Sequence, residues 1–223
     1  MHQADHFQKD PVLQNQMSIL YRIMYILFKY PVKWICRIHV HGKKNEPKRK
    51  DGPVLICSNH LSNLDPLVLC DALRHWQPYY MTKSELFKFP PLRWFLKAFG
   101  AFPVHRGGAD AGAFRTSLEL LQKNRGVTVF PQGHRQPGKE PGETRIMSGA
   151  GWIADHGNVS VLPILIKTKD WQPKFFRRID VYIGAPIKPE EWKDLESGHE
   201  RSTQISQLIM NRIIQADKES PAV

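Results

Sequence analysis

Cysteine is scarce in this sequence. Three cysteines occur in 223 residues and none forms a CxxC pair, which predicts buried free thiols in a reducing compartment rather than a disulfide framework. Histidine is more frequent, but of the ten histidines only His39 and His41 lie close together with a spacing that puts both on one face of a possible strand. Because no cysteine or third ligand lies near them, we expect no metal site.

Long uncharged apolar runs are also missing. No stretch reaches the roughly 18 to 20 residues that a membrane-spanning helix needs, and the polar N-terminus lacks the pattern of a secretory signal. Residues 17–40 instead combine apolar residues at helical spacing with basic ones, and Pro31 is expected to end or kink that helix. This pattern is typical of an interfacial helix, although a helix that covers the protein core would also show it. We therefore expect residues 1–45 to be a membrane-associating segment, peripheral or monotopic, at the cytoplasmic face of the cell membrane.

Acidic residues are too few to balance the basic ones. The chain has 32 Lys and Arg against 21 Asp and Glu, which gives a net charge of +11 and a pI near 9.7. Such an excess predicts an anionic partner. No nucleic-acid recognition motif accompanies the charge, and the basic residues alternate with large apolar ones near the N-terminus. An anionic membrane surface is the expected partner, and nucleic acid is not.

Residues 46–223 show strand and helix patterns in alternation, with no repeat and no low-complexity tract. We predict strands at 53–57, 79–82, 101–104, 127–130, 160–167 and 179–183. Helices are predicted at 65–73, 84–99 with a break at Pro90-Pro91, 111–123, 145–155 and through much of 189–216. This order predicts an α/β fold with a mixed, largely parallel sheet covered by helices, preceded by the N-terminal amphipathic element.

The sequence SNHLSNLD, residues 58–65, carries the strongest chemical signal. His60 follows a buried strand, where open α/β sheets place their ligands. Asp65 stands five residues later, before Pro66, a position that also suits a helix N-cap. A carboxylate that accepts the imidazole Nδ1 hydrogen would leave Nε2 as a base near neutral pH. The nucleophile could then be a substrate hydroxyl.

Three further motifs stand at predicted strands. Arg106 precedes two glycines in a loop after a strand, where a guanidinium can grip a phosphate. Gly133 and Arg135 follow the next strand, and the glycine permits a positive φ. Pro163 interrupts a strand, which predicts a sheet edge or a bend. Taken singly, each of the three also fits an ordinary surface or turn position.

In order and spacing, these four motifs together resemble the glycerolipid acyltransferase family, typified by bacterial 1-acylglycerol-3-phosphate acyltransferase. That family has an NHxxxxD motif, an arginine-bearing second motif, an FPEGTR-like third motif and a proline-containing fourth. The resemblance covers roughly residues 30–190 and includes Met81 to Phe87, which is similar to a Lys-x-Glu-Leu segment of the family.

The resemblance implies that His60 is a general base oriented by Asp65. It implies no cofactor, because the acyl group would come from a thioester of coenzyme A or of an acyl carrier protein. The acceptor would be a lysophospholipid hydroxyl. The implied substrate-binding residues are Asn59, Lys83 (a helper at the thioester oxyanion), Arg106, Gly133, Arg135 and Pro163 (in the motif linked to the acyl donor).

The third motif departs from the family pattern, because Gln132 and His134 stand where the family usually has Glu and Thr. Lysophosphatidate is the leading acceptor. Another lysolipid and an amino-acid-linked lipid stay open as acceptors. A membrane-binding homologue that has lost the reaction is a further alternative.

Overall fold

The described part of the chain contains a seven-stranded sheet. It is seen in a computed structural model that describes residues 19–104, 110–195 and 200–219. The strands are β1 (Ile38–His41), β2 (Val54–Ser58), β3 (Pro78–Lys83), β4 (Ala101–Val104), β5 (Gly126–Val129), β6 (Ser160–Thr168) and β7 (Ile179–Ile183). Their order across the sheet is β1-β7-β6-β2-β5-β3-β4, and every pairing is parallel except that of β6 with β7. The predicted mixed, largely parallel α/β fold is confirmed.

Helices cover both faces of this sheet. They are α1 (Ile19–Cys36), α2 (Asp65–Ala72), α3 (Pro90–Ala98), α4 (Ala111–Gln122), α5 (Gly149–Gly157) and α6 (Arg201–Glu219). One core cluster joins one face of the sheet to α4, α5 and α6, and a second joins the opposite face to α1 and α2. Strand β2 supplies both clusters, because its residues are all buried and its side chains alternate between the faces. Its carboxyl end is therefore held rigidly between β5 and β6.

Helix α1 has one face on the protein and one face exposed. Its inner residues Val32, Ile35 and Cys36 pack against the second core cluster. Its outer residues form an apolar stripe at spacings of three and four, which we call the α1 stripe: Ile23, Ile26, Leu27, Tyr30 and Trp34, each at least half exposed. The inner face therefore covers the core, which is one of the two interpretations of this segment. Contact of the outer face with a membrane stays a prediction.

The N-terminal boundaries differ from the prediction. Pro31 lies inside α1, which continues to Cys36 instead of ending at the proline. The sheet begins at Ile38, earlier than the predicted domain start at residue 46, because β1 pairs with β7 along its whole length. Residues 1–18 of the expected membrane-associating segment lie outside the described residues. None of the helices that the structure describes is long and apolar enough to cross a bilayer.

Elsewhere the predicted elements are present with shifted ends. The interrupted helix at 84–99 is a short 3-10 helix, Ser84–Lys88, followed by α3 from Pro90. The predicted helix at 145–155 begins later, at Gly149. All three cysteines are buried free thiols, as predicted. Burial raises the pKa of the Cys57 thiol far above its usual range.

Candidate active site at the end of strand β2

The site lies where β2 ends, at the edge of the sheet at which β5, β6 and β3 also end. We call this the carboxyl edge. The chain leaves β2 at Ser58 and makes a tight turn through residues 59–64 before α2 begins at Asp65. Because β2 is central and fully buried, this turn is fixed at its start by the sheet and at its end by the helix.

His60 and Asp65 contact each other across this turn. The distance from His60 Nδ1 to Asp65 Oδ2 is 2.7 Å, which is the contact that the sequence predicted. The carboxylate is 1% exposed and accepts three more hydrogen bonds, from the backbone N–H groups of Leu61 and Ser62 and from the Ser62 hydroxyl. A carboxylate oxygen can only accept, so in this contact the imidazole donates the hydrogen on its Nδ1.

Asp65 does not cap α2, which was the alternative role for this residue. It is the first residue of the helix, and the N-cap residue is Leu64. Its carboxylate points back to the turn, toward Leu61 and Ser62, rather than forward to the free N–H groups of α2. The side chain therefore serves the turn that carries His60.

The imidazole of His60 is held on a second side by an aromatic ring. Phe130, the residue after β5, stacks on it with 4.0 Å between ring centroids and 15° between planes. The His60 side chain is 12% exposed, so it is neither sealed in the interior nor free in solvent. Its Nε2 atom makes no hydrogen bond to any residue that the structure describes. The imidazole is therefore fixed in orientation, and its Nε2 has no partner within the described part of the chain.

The loop after β5 holds the backbone of His60 from both sides. Gln132 Oε1 accepts from His60 N at 2.6 Å, and Gln136 N donates to His60 O at 2.7 Å. Gly133 makes the turn between them with a φ of +69°, as predicted. An added Cβ there would lie 3.1 Å from Met147 Cγ as well as being strained. The loop that carries the third motif therefore holds the first motif, and with it the backbone of His60, in place.

The glutamine at position 132 matches its surroundings better than a glutamate would. Gln132 Nε2 donates to Thr144 Oγ1 at 2.8 Å, and that hydroxyl donates its only hydrogen to Pro141 O at 2.7 Å. With its hydrogen on Pro141 O, the hydroxyl accepts from position 132, and a carboxylate there would have no hydrogen to give unless the hydroxyl turned away from Pro141. Gln132 is 2% exposed and touches the His60 backbone, not the imidazole.

Of the predicted phosphate-binding arginines, Arg135 lies on the loop after β5 that holds the His60 backbone. It is exposed, directly precedes Gln136, and forms no ion pair with the described residues. Arg106 lies outside the described residues. Lys83 ends β3 at the same edge, with its ammonium 3.4 Å from Glu85 Oε1 and its side chain 48% exposed. The structure shows no contact between Lys83 and His60.

Two of the predicted substrate-binding residues, Asn59 and Pro163, make structural contacts inside the sheet. The Asn59 side chain is fully buried, and its amide donates to Ile166 O and accepts from Ile166 N, which extends the pairing of β2 with β6 by one residue. Pro163 is buried in β6, which is a central strand, so of the predicted edge or bend the edge is wrong. The N–H that this proline lacks would point toward β7. The hydrogen-bonded pairing of β6 with β7 is interrupted there, between Ile183 and Ile187. Both residues are buried within the sheet, and their part in substrate binding stays a prediction.

The sequence alone indicates no role for three residues around His60: Ser62, Phe130 and Thr144. For Gln132 it indicates a departure from the family pattern but not the contact with the His60 backbone. Ser62 and Phe130 lie inside the first and third motifs, so their positions in the sequence already indicate that they lie close to His60. Thr144 bonds to Gln132 from twelve residues away, and no local pattern marks it. Among the described residues no cluster of His, Cys, Asp and Glu could hold a metal ion, and His41 pairs with Asp180 at 2.7 Å.

Comparison with known proteins gives a family match. The model of the family described as Acyltransferase matches residues 37–167, more than half of the chain. The 1-acyl-sn-glycerol-3-phosphate acyltransferase of Streptococcus pneumoniae is 26% identical over 160 residues, which cover 70% of this chain and 58% of that protein. The enzyme of the same name from Saccharomyces cerevisiae is 26% identical over 217 residues, which cover 91% of this chain and 66% of that protein.

A structural comparison agrees at the level of the fold. The crystal structure of the 1-acyl-sn-glycerophosphate (LPA) acyltransferase PlsC from Thermotoga maritima superposes with a TM-score of 0.64 at 22% identity, covering 86% of this chain and 78% of that one. The chain spans about three fifths of the length of the bacterial relatives from Streptococcus pneumoniae and Borreliella burgdorferi. The family model includes β2, the turn that carries His60 and Asp65, and the loop after β5. This chain belongs to the Acyltransferase family.

Proposed function

We propose that this protein transfers a fatty acyl group from a thioester to the free hydroxyl of a lysophospholipid, with lysophosphatidate as the leading acceptor and phosphatidate as the product. The observation that carries the proposal is that His60 Nε2 has no hydrogen-bond partner among the described residues, on an imidazole whose Nδ1 is held by the buried Asp65 carboxylate. The names of the relatives from Streptococcus pneumoniae and Saccharomyces cerevisiae support the choice of acceptor.

In this mechanism His60 Nε2 takes the proton of the acceptor hydroxyl as its oxygen attacks the thioester carbonyl carbon. The Asp65 carboxylate stabilises the imidazolium that forms. The tetrahedral intermediate then collapses, the carbon–sulfur bond breaks, and the imidazolium returns the proton to the departing thiolate. The products are an ester and a free thiol, and no redox partner is required. A base that is already oriented contributes about 10²- to 10⁴-fold to such a step.

Basic side chains at the carboxyl edge would hold the charged parts of the reactants. Arg135 is exposed beside the loop that binds the His60 backbone, which suits a contact with the acceptor phosphate. Arg106 is proposed for the same role. Lys83, at the end of β3, is proposed to stabilise the oxyanion of the thioester. The acyl donor is a coenzyme A or acyl carrier protein thioester.

The acceptor would be taken from a membrane. We propose that the protein binds an anionic bilayer peripherally, at its cytoplasmic face, through the exposed α1 stripe and neighbouring basic residues. The departures from the family pattern do not argue for a lost reaction. Gln132 bonds to the backbone of His60, and His134 is exposed on the loop.

The test is acyl transfer by the His60→Ala variant. We expect transfer from an acyl-coenzyme A to lysophosphatidate to fall by about a thousandfold, with the thermal melt and vesicle binding unchanged. His156→Ala is the matched control, since His156 is an exposed histidine in α5 outside the site. A His60→Ala variant with wild-type rates would overturn the mechanism. Vesicle binding by a wild-type protein that turns over no donor or acceptor would favour a membrane-binding protein instead.

Acceptor identity is tested with one labelled donor and a panel of lysolipids. We expect Arg135→Ala to raise KM for lysophosphatidate by about tenfold and to leave KM for an acceptor without a phosphate unchanged. An equal effect on both acceptors would contradict the phosphate contact. The same assay, run with acyl-coenzyme A and with acyl carrier protein, identifies the donor.

A further inference from the structure

A turn between β6 and β7 exposes two aromatic side chains surrounded by basic ones. Residues 174–178 have the sequence KFFRR, and all five are exposed, Phe175 at 69% and Phe176 at 56%. Arg177 N donates to Lys174 O at 3.2 Å, which places the two phenylalanines at the tip. We call this segment the Phe-Phe turn. Exposed neighbouring aromatic residues at a loop tip indicate a contact surface.

The Phe-Phe turn is attached to the end of α1. Phe176 N donates to Ile35 O at 2.7 Å, and the rings of Phe176 and Trp34 pack edge to face at 5.2 Å. Phe176 holds a left-handed φ of +61°, a conformation that aromatic residues keep only where surrounding contacts fix it. Since Trp34 is the last residue of the α1 stripe, the turn continues that apolar surface.

This surface lies at the same edge of the sheet as His60. Strand β7 runs antiparallel to β6, so the connection that contains the Phe-Phe turn leaves β6 at the carboxyl edge. That connection also contacts the loop that holds His60: Gly138 N donates to Trp171 O at 2.9 Å, and Gln136 N donates to His60 O. A lipid surface touching the turn would therefore be next to the reaction site.

The charges around the turn identify its partner. Lys174 and Arg177 form no ion pair with the described residues, Arg178 is bound to Asp180, and Lys33 and Arg37 are exposed nearby at the end of α1. Cations that ring an exposed apolar tip suit an anionic lipid bilayer, into which the rings insert while the cations contact headgroups.

We infer that the Phe-Phe turn is a second membrane-docking element, which together with the α1 stripe sets the carboxyl edge against anionic lipid. The inference builds on the proposed function, because a lysolipid acceptor would come from that surface. It goes beyond it by assigning lipid contact to a segment far in sequence from the N-terminal helix.

The test compares vesicle binding by the full chain and by three double variants, with phosphatidylcholine vesicles that either contain or lack phosphatidylglycerol. Phe175→Ser with Phe176→Ser should lose about tenfold or more in binding to both vesicle types. Lys174→Glu with Arg177→Glu should lose about tenfold only on the anionic vesicles. Lys50→Glu with Lys123→Glu is the control, since both lysines are exposed at the amino ends of strands, away from this edge.

Acyl transfer to a short-chain lysophosphatidate dissolved as monomers separates this inference from the proposed function. The Phe175→Ser, Phe176→Ser variant should keep wild-type turnover on this acceptor and lose it only on vesicle-embedded acceptor. Wild-type vesicle binding by that variant would overturn the docking role, and so would a loss in the control equal to that of the Lys174, Arg177 variant. If the wild-type protein were a dimer and the Phe175→Ser, Phe176→Ser variant a monomer, the partner of the turn would be a second copy of the chain. That result would overturn the docking role. If the wild-type protein showed no transferase activity and the Phe175→Ser, Phe176→Ser variant still lost vesicle binding, this inference would be upheld and the proposed function rejected.

Discussion

The Asp65 carboxylate holds the turn that carries His60 and, in the proposed mechanism, also stabilises the imidazolium. A neutral amide could fulfil only the first of these roles. In the Asp65→Asn variant the amide oxygen could still accept from Leu61 N and Ser62 N, so the turn should survive. The amide would not stabilise a charged imidazolium. We expect Asp65→Asn to lower kcat by at least about a hundredfold, with a loss of about 1 to 2 kcal/mol in the free energy of unfolding, measured by a melt beside the transferase assay.

Ser62→Ala is the matched control for Asp65→Asn. It removes only the hydroxyl that donates to Asp65 Oδ1 at 2.9 Å and leaves the carboxylate and its contact with His60 in place. A rate within a few-fold of wild type is expected. If Asp65→Asn were as active as Ser62→Ala, the charge on Asp65 would have no part in the reaction.

Position 132 gives a prediction that depends on one hydroxyl. In Gln132→Glu the carboxylate would face the lone pairs of Thr144 Oγ1, whose hydrogen is donated to Pro141 O. We expect a loss of about 1 to 3 kcal/mol in the free energy of unfolding, and a drop in kcat because the His60 backbone is less firmly held. Adding Thr144→Val to Gln132→Glu removes the facing oxygen. An equally unstable double variant would mean that this contact is not the cause.

At the scale of elements, helices α5 and α6 cross so closely that only glycine fits at position 151. An added Cβ there would lie 2.0 Å from Ser202 O, while Gly151 N donates to the Ser206 hydroxyl at 2.8 Å. The clash should outweigh the gain of roughly 1 kcal/mol that alanine gives a helix. We expect Gly151→Ala to lose about 2 kcal/mol or more in the free energy of unfolding, measured by denaturant titration.

Gly149→Ala tests the same substitution in the same helix without the clash. Its added Cβ would lie 3.4 Å from the Phe114 ring, an ordinary contact. We expect little change or a small gain in stability. Equal losses at positions 149 and 151 would show that helix α5 itself, and not its crossing with α6, is sensitive to alanine.

The elements show what a single sequence can and cannot predict. Strand β2 and the turn after it, which carries His60 and Asp65, can be predicted because both signals are local. Strand β1 is indicated only as a possible strand at His39 and His41, because the apolar residues of α1 precede it directly and its partner β7 lies about 140 positions away. Asn59 was assigned to substrate because its motif is known for chemistry, whereas its pairing with Ile166 depends on the register of two strands. Such long-range pairings leave no periodic pattern.

At the scale of the whole molecule, the net charge of +11 and the α1 stripe would contribute to the proposed membrane binding in different ways. Charge attraction is screened when the Debye length falls from about 10 Å at 0.1 M salt to about 3 Å at 1 M. Burial of apolar side chains is not screened.

We therefore expect sedimentation with phosphatidylglycerol-containing vesicles to weaken as salt rises and then level off above zero. Vesicles of phosphatidylcholine alone serve as the control and should bind weakly, with little dependence on salt. Complete release from the anionic vesicles at moderate salt would mean that the stripe packs on protein in solution.

The stacking of His60 on Phe130 has a consequence for how acceptors are chosen. With one face of the ring covered and Nδ1 tied to Asp65, the imidazole cannot turn to follow a misplaced hydroxyl. Under the proposed mechanism, the choice among lipid acceptors then depends on whether the hydroxyl can reach Nε2. An acceptor whose hydroxyl lies at the wrong distance from its headgroup would not bring that hydroxyl to Nε2, even when the headgroup is tightly bound.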